Sequence, residues 1–277
     1  MTRYVEVDDP GHPLVADFVA LNEPATRREV ERRGKYFVVE GILAIERLLG
    51  LTGPDGWNIR TLLVLPAVAA RLAPLLDLLR ATDAPLTVAI ANETVLRSIV
   101  GFDLHRGALA SVDRRDPTPL TDVLRPDGLL LAVEGVNDHE NLGSLYRNAA
   151  AFGVDAVLLD PTCADPFYRR SVRVSLGHVL AVPTVRMDPF PHGLRALHDH
   201  GVTTIAMAPR ASAGIAEVAH QCRTQGPVAV LVGAEGPGLT ESALSAASVR
   251  ASISMADGVD SLNVATAAAI ALHHLRE

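Results

Sequence analysis

Lysine is almost missing from this chain: of 25 basic residues only Lys35 is a lysine, which we read as coding bias before function. Aromatic residues make up only 4%, so the core must be built from Ala, Val and Leu, within a hydrophobic share of 48%. No apolar run reaches the roughly 18–20 residues that span a bilayer, so no membrane role is expected. The N-terminal MTRYVEVDDPGHP is acidic and carries no apolar stretch, so a secretory leader is not expected either. Two cysteines, Cys163 and Cys222, make no disulfide framework, and the expectation is a reduced, cytoplasmic protein. Of the ten histidines, the pairs His198 with His200 and His273 with His274 lack zinc-ligand spacing and a third ligand; no metal is expected. The G-x-S-x-G elbow of serine hydrolases is absent.

Positive charge is in deficit too. A net charge of −7 argues, taken alone, against a nucleic-acid partner. Fields decay over about 8–10 Å at physiological salt, so local clusters matter more than the sum. Arg27, Arg28, Arg32, Arg33 and Lys35 gather against Glu29 and Glu31, and Arg169, Arg170 and Arg173 form a second group. Each cluster suits a solvated helix face or an RNA contact.

What the chain does have is alternation. Strand-like patterns at 36–39, 59–65, 86–90 and 107–112 alternate with helical ones at 42–49, 66–80 and 93–99. Residues 113–127, with Pro117, Pro119 and Pro126 among charges, read as a linker. Beyond it, apolar strands at 129–133, 154–159, 203–207, 228–232 and 249–253 are interleaved with helices at 142–152, 194–200 and 241–247. A last helix begins near Ser261, which can cap it. The pattern implies an α/β chain with a mostly parallel sheet, in domains 1–112 and 128–277.

Three segments carry chemistry. In NLGSLYRNAAAFG, starting at Asn141, Leu142, Leu145, Ala149 and Phe152 form an apolar stripe from which Arg147 points away. Asn141 and Gly143 would let a ligand approach the helix N-terminus, while Asn148 reads as ordinary surface. In LVGAEGPGLT, starting at Leu231, three glycines leave backbone groups uncovered for a ligand. The order G-x-x-G-x-G, late in the chain, is not a dinucleotide fingerprint, and no lysine makes it a Walker loop. Glu235 would repel phosphates, so a neutral or cationic ligand suits this loop. In SLNVATAAAIALHHL, Ser261 and Asn263 precede an alanine-rich helix, and the irregular stretch 253–260 before it is another place for ligand contacts.

In this order and spacing the three segments resemble the signature motifs of the SpoU/TrmH family, within the SPOUT superfamily, of S-adenosylmethionine-dependent RNA 2′-O-ribose methyltransferases. The resemblance covers Gly128 to the C-terminus, and more weakly the first half through Phe37-Val-Val-Glu-Gly41 and His105-Arg-Gly107. It implies an α/β SPOUT-type, trefoil-knotted methyltransferase domain with a parallel sheet, preceded by a small α/β RNA-binding domain. It also implies a homodimer with the active site near the subunit interface, and tRNA or rRNA as substrate.

Carried over by position, the resemblance makes Asn141, Arg147, Glu235, Ser261 and Asn263 catalytic. The donor would be held by Gly233, Ala234, Glu235, Gly238, Ile253, Met255 and Leu262; the RNA contact expected of Arg27, Arg28, Arg32, Arg33 and Lys35 rests instead on their local charge. Ser254 stands where many relatives have proline, Ala265 where many have serine, and Ala234 replaces a frequent polar residue. A catalytically silent RNA-binding protein of the same fold and an ordinary nucleotide-dependent doubly wound enzyme are the alternatives.

Overall fold

The computed structural model describes residues 2–19, 21–22, 24–53, 55–79, 86–102, 107–222 and 225–276, with backbone alone for 24–28. Along the chain run β1 (Thr2–Glu6), α1 (Pro24–Gly34), β2 (Tyr36–Glu40), α2 (Ile42–Gly50), β3 (Ile59–Val64) and α3 (Pro66–Leu79). Then come β4 (Leu86–Ile90), α4 (Glu93–Val100), β5 (Ala108–Asp113), α5 (Leu120–Val123), β6 (Leu129–Glu134), α6 (His139–Ala151) and β7 (Ala156–Leu159). The remainder is α7 (Arg169–Val174), β8 (Thr184–Arg186), α8 (His192–Asp199), β9 (Thr203–Met207) and α9 (Ile215–Cys222). It closes with β10 (Val228–Gly233), α10 (Glu241–Ala246), β11 (Val249–Ala251) and α11 (Val264–Arg276).

Contacts divide the chain into two compact units, Met1–Arg115 with Phe167–Leu180, and Asp116–Pro166 with Ala181–Glu277. The first holds a mixed sheet in the order β1-β4-β3-β5-β2. β1, β4 and β3 run parallel, and β5 is antiparallel to both β3 and β2. Residues 167–180 group with this unit although the sequence reads 128–277 as one stretch, and aromatic packing accounts for it. The Phe37 ring lies 5.0 Å from Phe167 and 5.5 Å from Trp57, and Trp57 Nε1 donates to the Leu180 carbonyl at 2.9 Å. Glu40 adds ion pairs to Arg169 and Arg173.

The second unit is a six-stranded, wholly parallel sheet in the order β11-β9-β10-β6-β7-β8. Its central strands β10 and β6 are apolar up to their last residues, Gly233 and Glu134, because both faces are covered. Leu130, Ala132, Leu158 and Leu231 turn to one side and pack with Leu194 and Leu197 of α8. Leu131, Val133 and Val230 alternate to the other side and are fully or almost fully buried. Val123, inside the stretch read as a linker, belongs to the first of these clusters. α11 packs on α6, α9 and β10 through Val264, Ala265, Ala268, Ala271 and Leu272, a stripe of small residues that permits close approach.

Two helix starts at the motif segments differ from the expectation. α6 begins three residues early, at His139, because the Asp138 carboxylate accepts the amides of Glu140 and Asn141 at 2.9 and 2.8 Å. Asn141 therefore sits inside the first turn, and its side chain is free to act elsewhere. The cap of α11 is Asn263, not Ser261: its Oδ1 accepts the amides of Ala265 and Thr266 at 2.9 and 3.3 Å. α6 ends as read, with Gly153 at φ 64° and the reciprocal pair Gly153 to Ala150 and Val154 to Ala149.

Candidate active site

Every strand of the second sheet runs the same way, so the loops after β6, β9, β10 and β11 leave from one edge. Register sharpens this, since Gly233 lies opposite Glu134 and Ala206 opposite Leu231. Open parallel sheets bind ligands outside the C-terminal ends of their strands, and here a cavity of ≈ 190 Å³ opens at that edge.

The loop after β10 forms one wall. Its turn closes through the Gly238 amide donating to the Ala234 carbonyl at 2.9 Å. Gly236 and Gly238 hold φ of 92° and 71°, in the left-handed region that favours glycine. Gly233 is required for a different reason: a Cβ there would stand 2.1 Å from the Gly238 carbonyl carbon and 2.2 Å from the Leu239 nitrogen. The second wall comes from Ile253 and Met255, reached by a chain pinned where Ser252 donates to the Ala211 and Ala213 carbonyls. Ser261 and Leu262, ahead of α11, form the third. Gly233, Ala234, Glu235, Gly238, Ile253, Met255 and Leu262 thus line one cavity, together with Ser261.

Met207, Ala208 and Pro209 at the end of β9 line it too and went unread in the sequence. The available signal was that β9 is a strand ending among the others. A second hollow shares Ala208 and Pro209 and is walled by Arg210, Arg250 and Asp260.

A chain of side-chain amides borders the cavity. Asn263 Nδ2 donates to Asn141 Oδ1 at 2.7 Å, and Asn141 Nδ2 donates to Glu235 Oε2 at 2.9 Å. Three residues from three distant motifs, spaced 94 and 122 positions apart, are thereby fixed to one another. Asn148 is not plain surface: its Nδ2 donates to the Ala265 carbonyl at 2.7 Å, a second tie between α6 and α11. Tyr146 is fully buried with its hydroxyl 2.6 Å from Thr184 Oγ1, and burial raises its pKa. With Tyr146 inward and Asn148 held on α11, Arg147 is turned outward. It is exposed, outside the residues lining the cavity, and forms no hydrogen bond or ion pair with the described residues.

Of the basic cluster, Arg27 and Arg28 have side chains outside the described residues; His105 and Arg106, of the weaker first-half resemblance, lie outside them entirely. Arg32 and Arg33 close α1 on its exposed side and both bond Glu29, whose pKa they lower. Lys35 is exposed at φ 51°. The second cluster is partly spent on structure, since Arg169 and Arg173 pair with Glu40. His198 is bonded to Thr204 Oγ1 at 2.8 Å and lies near Ser248 Oγ, a local tie between α8 and β9. Among the described residues no group of three or more His, Cys, Asp or Glu is arranged to hold a metal, and no helix is long and apolar enough to cross a membrane.

Comparison with known proteins bears on the family and the fold. A sequence model of the SpoU rRNA Methylase family matches residues 128–273. An uncharacterized tRNA/rRNA methyltransferase of Mycobacterium tuberculosis is 42% identical over 273 residues, covering 97% of this chain and 90% of its own length. The 23S rRNA (guanosine-2′-O-)-methyltransferase RlmB of Ralstonia nicotianae is 30% identical over 201 residues, 71% of this chain and 79% of that protein. The crystal structure of an AdoMet-bound rRNA methyltransferase from Sinorhizobium meliloti aligns with a TM-score of 0.81 at 27% identity, covering 99% of this chain and 97% of that one.

Proposed function

The chain belongs to the SpoU rRNA Methylase family, and on that footing we propose that it transfers a methyl group from S-adenosylmethionine to a ribose 2′-hydroxyl of tRNA or rRNA. The observation that carries the proposal is the convergence of the three motif loops on one cavity, bordered by the Glu235–Asn141–Asn263 chain.

The cavity's chemistry suits the donor. Glycine turns leave backbone N–H and C=O groups uncovered for an adenosyl group, and Ile253, Met255 and Leu262 supply apolar surface. Among the described residues no arginine or lysine lines it, and Glu235 does, which favours a cation over a phosphate. S-adenosylmethionine, when bound, would supply a methyl activated by a sulfonium. The protein's own part is positioning and charge. Holding the ribose hydroxyl in line with the donor supplies much of the rate. Arg147, with no protein partner among the described residues, is available to engage that hydroxyl or a neighbouring phosphate and to stabilise the developing alkoxide. Acting as a literal base is harder for a guanidinium, whose pKa lies above about 12.

Arg147 stands outside the cavity lining, so the same reading includes a homodimer in which a second copy brings it to the reacting ribose. The trefoil knot around the C-terminal segment, and RNA capture by residues 1–112 with Arg27, Arg28, Arg32, Arg33 and Lys35, complete it.

Labelled S-adenosylmethionine incubated with total RNA tests the reaction, with label expected in 2′-O-methylribose. Arg147→Ala is expected to abolish transfer while leaving S-adenosylhomocysteine affinity nearly intact; retained turnover would remove Arg147 from the mechanism. RNA binding without any transfer would match the catalytically silent alternative. Absence of donor uptake by calorimetry would end the enzymatic reading.

A further inference from the structure

Glu134, the last residue of β6, is 7% exposed and no cation pairs with it among the described residues. It and Asp160 are the acidic residues buried among the described residues of the second unit. A carboxylate removed from water is costly unless donors surround it, and the donors Glu134 uses are informative. Its Oε2 accepts the Thr240 amide and its Oε1 the Thr240 hydroxyl, both at 2.8 Å. The Thr240 oxygen in turn accepts the Ala243 amide at 3.2 Å as the cap of α10, which leaves the hydroxyl proton for Glu134. In the sheet, Glu134 is the register partner of Gly233. One residue therefore holds both ends of the loop 233–240: the start through the strand ladder, the end through its side chain. Between those ends lie Glu235, which receives the Asn141 amide, and Gly238 and Leu239, which line the cavity.

We propose that Glu134 is a positioning residue for methyl transfer, its carboxylate clamping the 233–240 loop in the shape that receives the donor and setting Glu235 against Asn141. The inference rests on the cavity being the donor site. Charge-assisted hydrogen bonds of this kind are each worth about tenfold or more in an equilibrium. Glu134→Ala is accordingly expected to weaken S-adenosylhomocysteine binding about 10- to 100-fold, read by calorimetry. Glu134→Gln keeps an acceptor for the Thr240 amide and is expected to recover most of that loss. Thr240→Val, which retains the backbone donor, should fall between them and carries the test if Glu134→Ala does not fold.

Tyr146→Phe is the control for a merely structural role. It removes a buried hydrogen bond in the same unit, so it should lower the melting temperature and leave donor-product affinity unchanged. Hydrogen exchange without ligand gives an independent reading: the Gly238 amide should lose protection in Glu134→Ala and keep it in Tyr146→Phe. Unchanged affinity and unchanged protection in folded Glu134 and Thr240 variants would overturn the clamp. A wild-type protein that takes up no donor or product, yet loses Gly238 protection in the variants, would overturn the donor site and leave the clamp standing.

Discussion

Two strands of this chain end in Val-Glu and are followed by glycine. β2 closes on Val39-Glu40 before Gly41 and β6 on Val133-Glu134 before Gly135, with the glycines at φ 97° and 68°. Their carboxylates are used in opposite ways. Glu40 lies between two guanidiniums, Arg169 at 3.2 Å and Arg173 at 3.3 Å, and so anchors a returning chain segment to the first unit. Glu134 meets the amide and hydroxyl of one threonine and no cation among the described residues. A Cβ on Gly41 would meet nothing within 4 Å, whereas one on Gly135 would stand 3.7 Å from the Ala234 Cβ of the cavity loop. A carboxylate neutralised by cations stabilises a fold. One satisfied by dipoles at the C-terminal edge of a parallel sheet fixes the shape of a loop, and that is where a ligand site needs rigidity.

The most severe way to break the contrast is to remove the loop that Glu134 grips. Gly233→Ala sets a methyl 2.1–2.3 Å from backbone atoms of Gly238 and Leu239, which no side-chain movement relieves. We expect a loss of about 3 kcal/mol or more in denaturant unfolding, of the kind seen for backbone strain and overpacking. Donor-product binding should vanish. A folded Gly233→Ala variant with wild-type affinity would show that the loop geometry is not what receives the ligand.

A milder change tests the other half. Glu40→Gln leaves Arg169 and Arg173 without their anionic partner while keeping the shape of the side chain. The Arg169 and Glu40 side chains are 21% and 12% exposed, so this pair counts for more than a surface bridge, whereas Arg173, at 54%, is discounted for screening. A stability loss of about 1–2 kcal/mol is expected, less at high salt, with S-adenosylhomocysteine affinity unchanged. A shift in affinity comparable to that of Glu134→Ala would erase the distinction between the two strand ends.

How far the sequence carried this account differs between the same two regions. In the second unit, continuous apolar runs such as 129–133 showed the strands, and the glycine, Ser and Asn motifs showed where the cavity loops lie, because those turns demand glycine at positive φ or at close backbone approach, and an Asn to cap α11. β1, α1, α7, β8 and α9 went unread. β8 has three residues, too few for periodicity, and α1 is too polar along most of its length to show a stripe. Residues 167–180 could not be assigned to the first unit from local pattern, since Phe167 declares its place through rings 130 and 110 positions away in the chain. Glu134 was invisible for a similar reason. In sequence it is only the last residue of an apolar strand, and its partner Thr240 is 106 positions distant. Asn263 as a helix cap needed one turn of backbone to distinguish it from Ser261.

The finest probe of the β6 end is the thiol beside it. Cys163 donates to the Val133 carbonyl at 3.3 Å, and its amide bonds Asp160, the carboxylate that also accepts the Gly135 amide. Burial first, and then the neighbouring Asp160, push its pKa up to about 12. An acid whose pKa is raised on folding favours its protonated form in the native state. Its contribution is thus fully present below the unfolded value of about 8.5 and is lost as pH climbs from there toward 12. Between pH 8 and 9.5 the wild-type protein should lose about 1 kcal/mol relative to Cys163→Ala, measured as the difference in unfolding free energy between the two at each pH. A thiol reagent at pH 8 should likewise fail to label Cys163 until the protein unfolds. Parallel pH profiles for the two proteins would mean that the end of β6 is open to water. The buried, cation-free setting that separates Glu134 from Glu40 would then be lost.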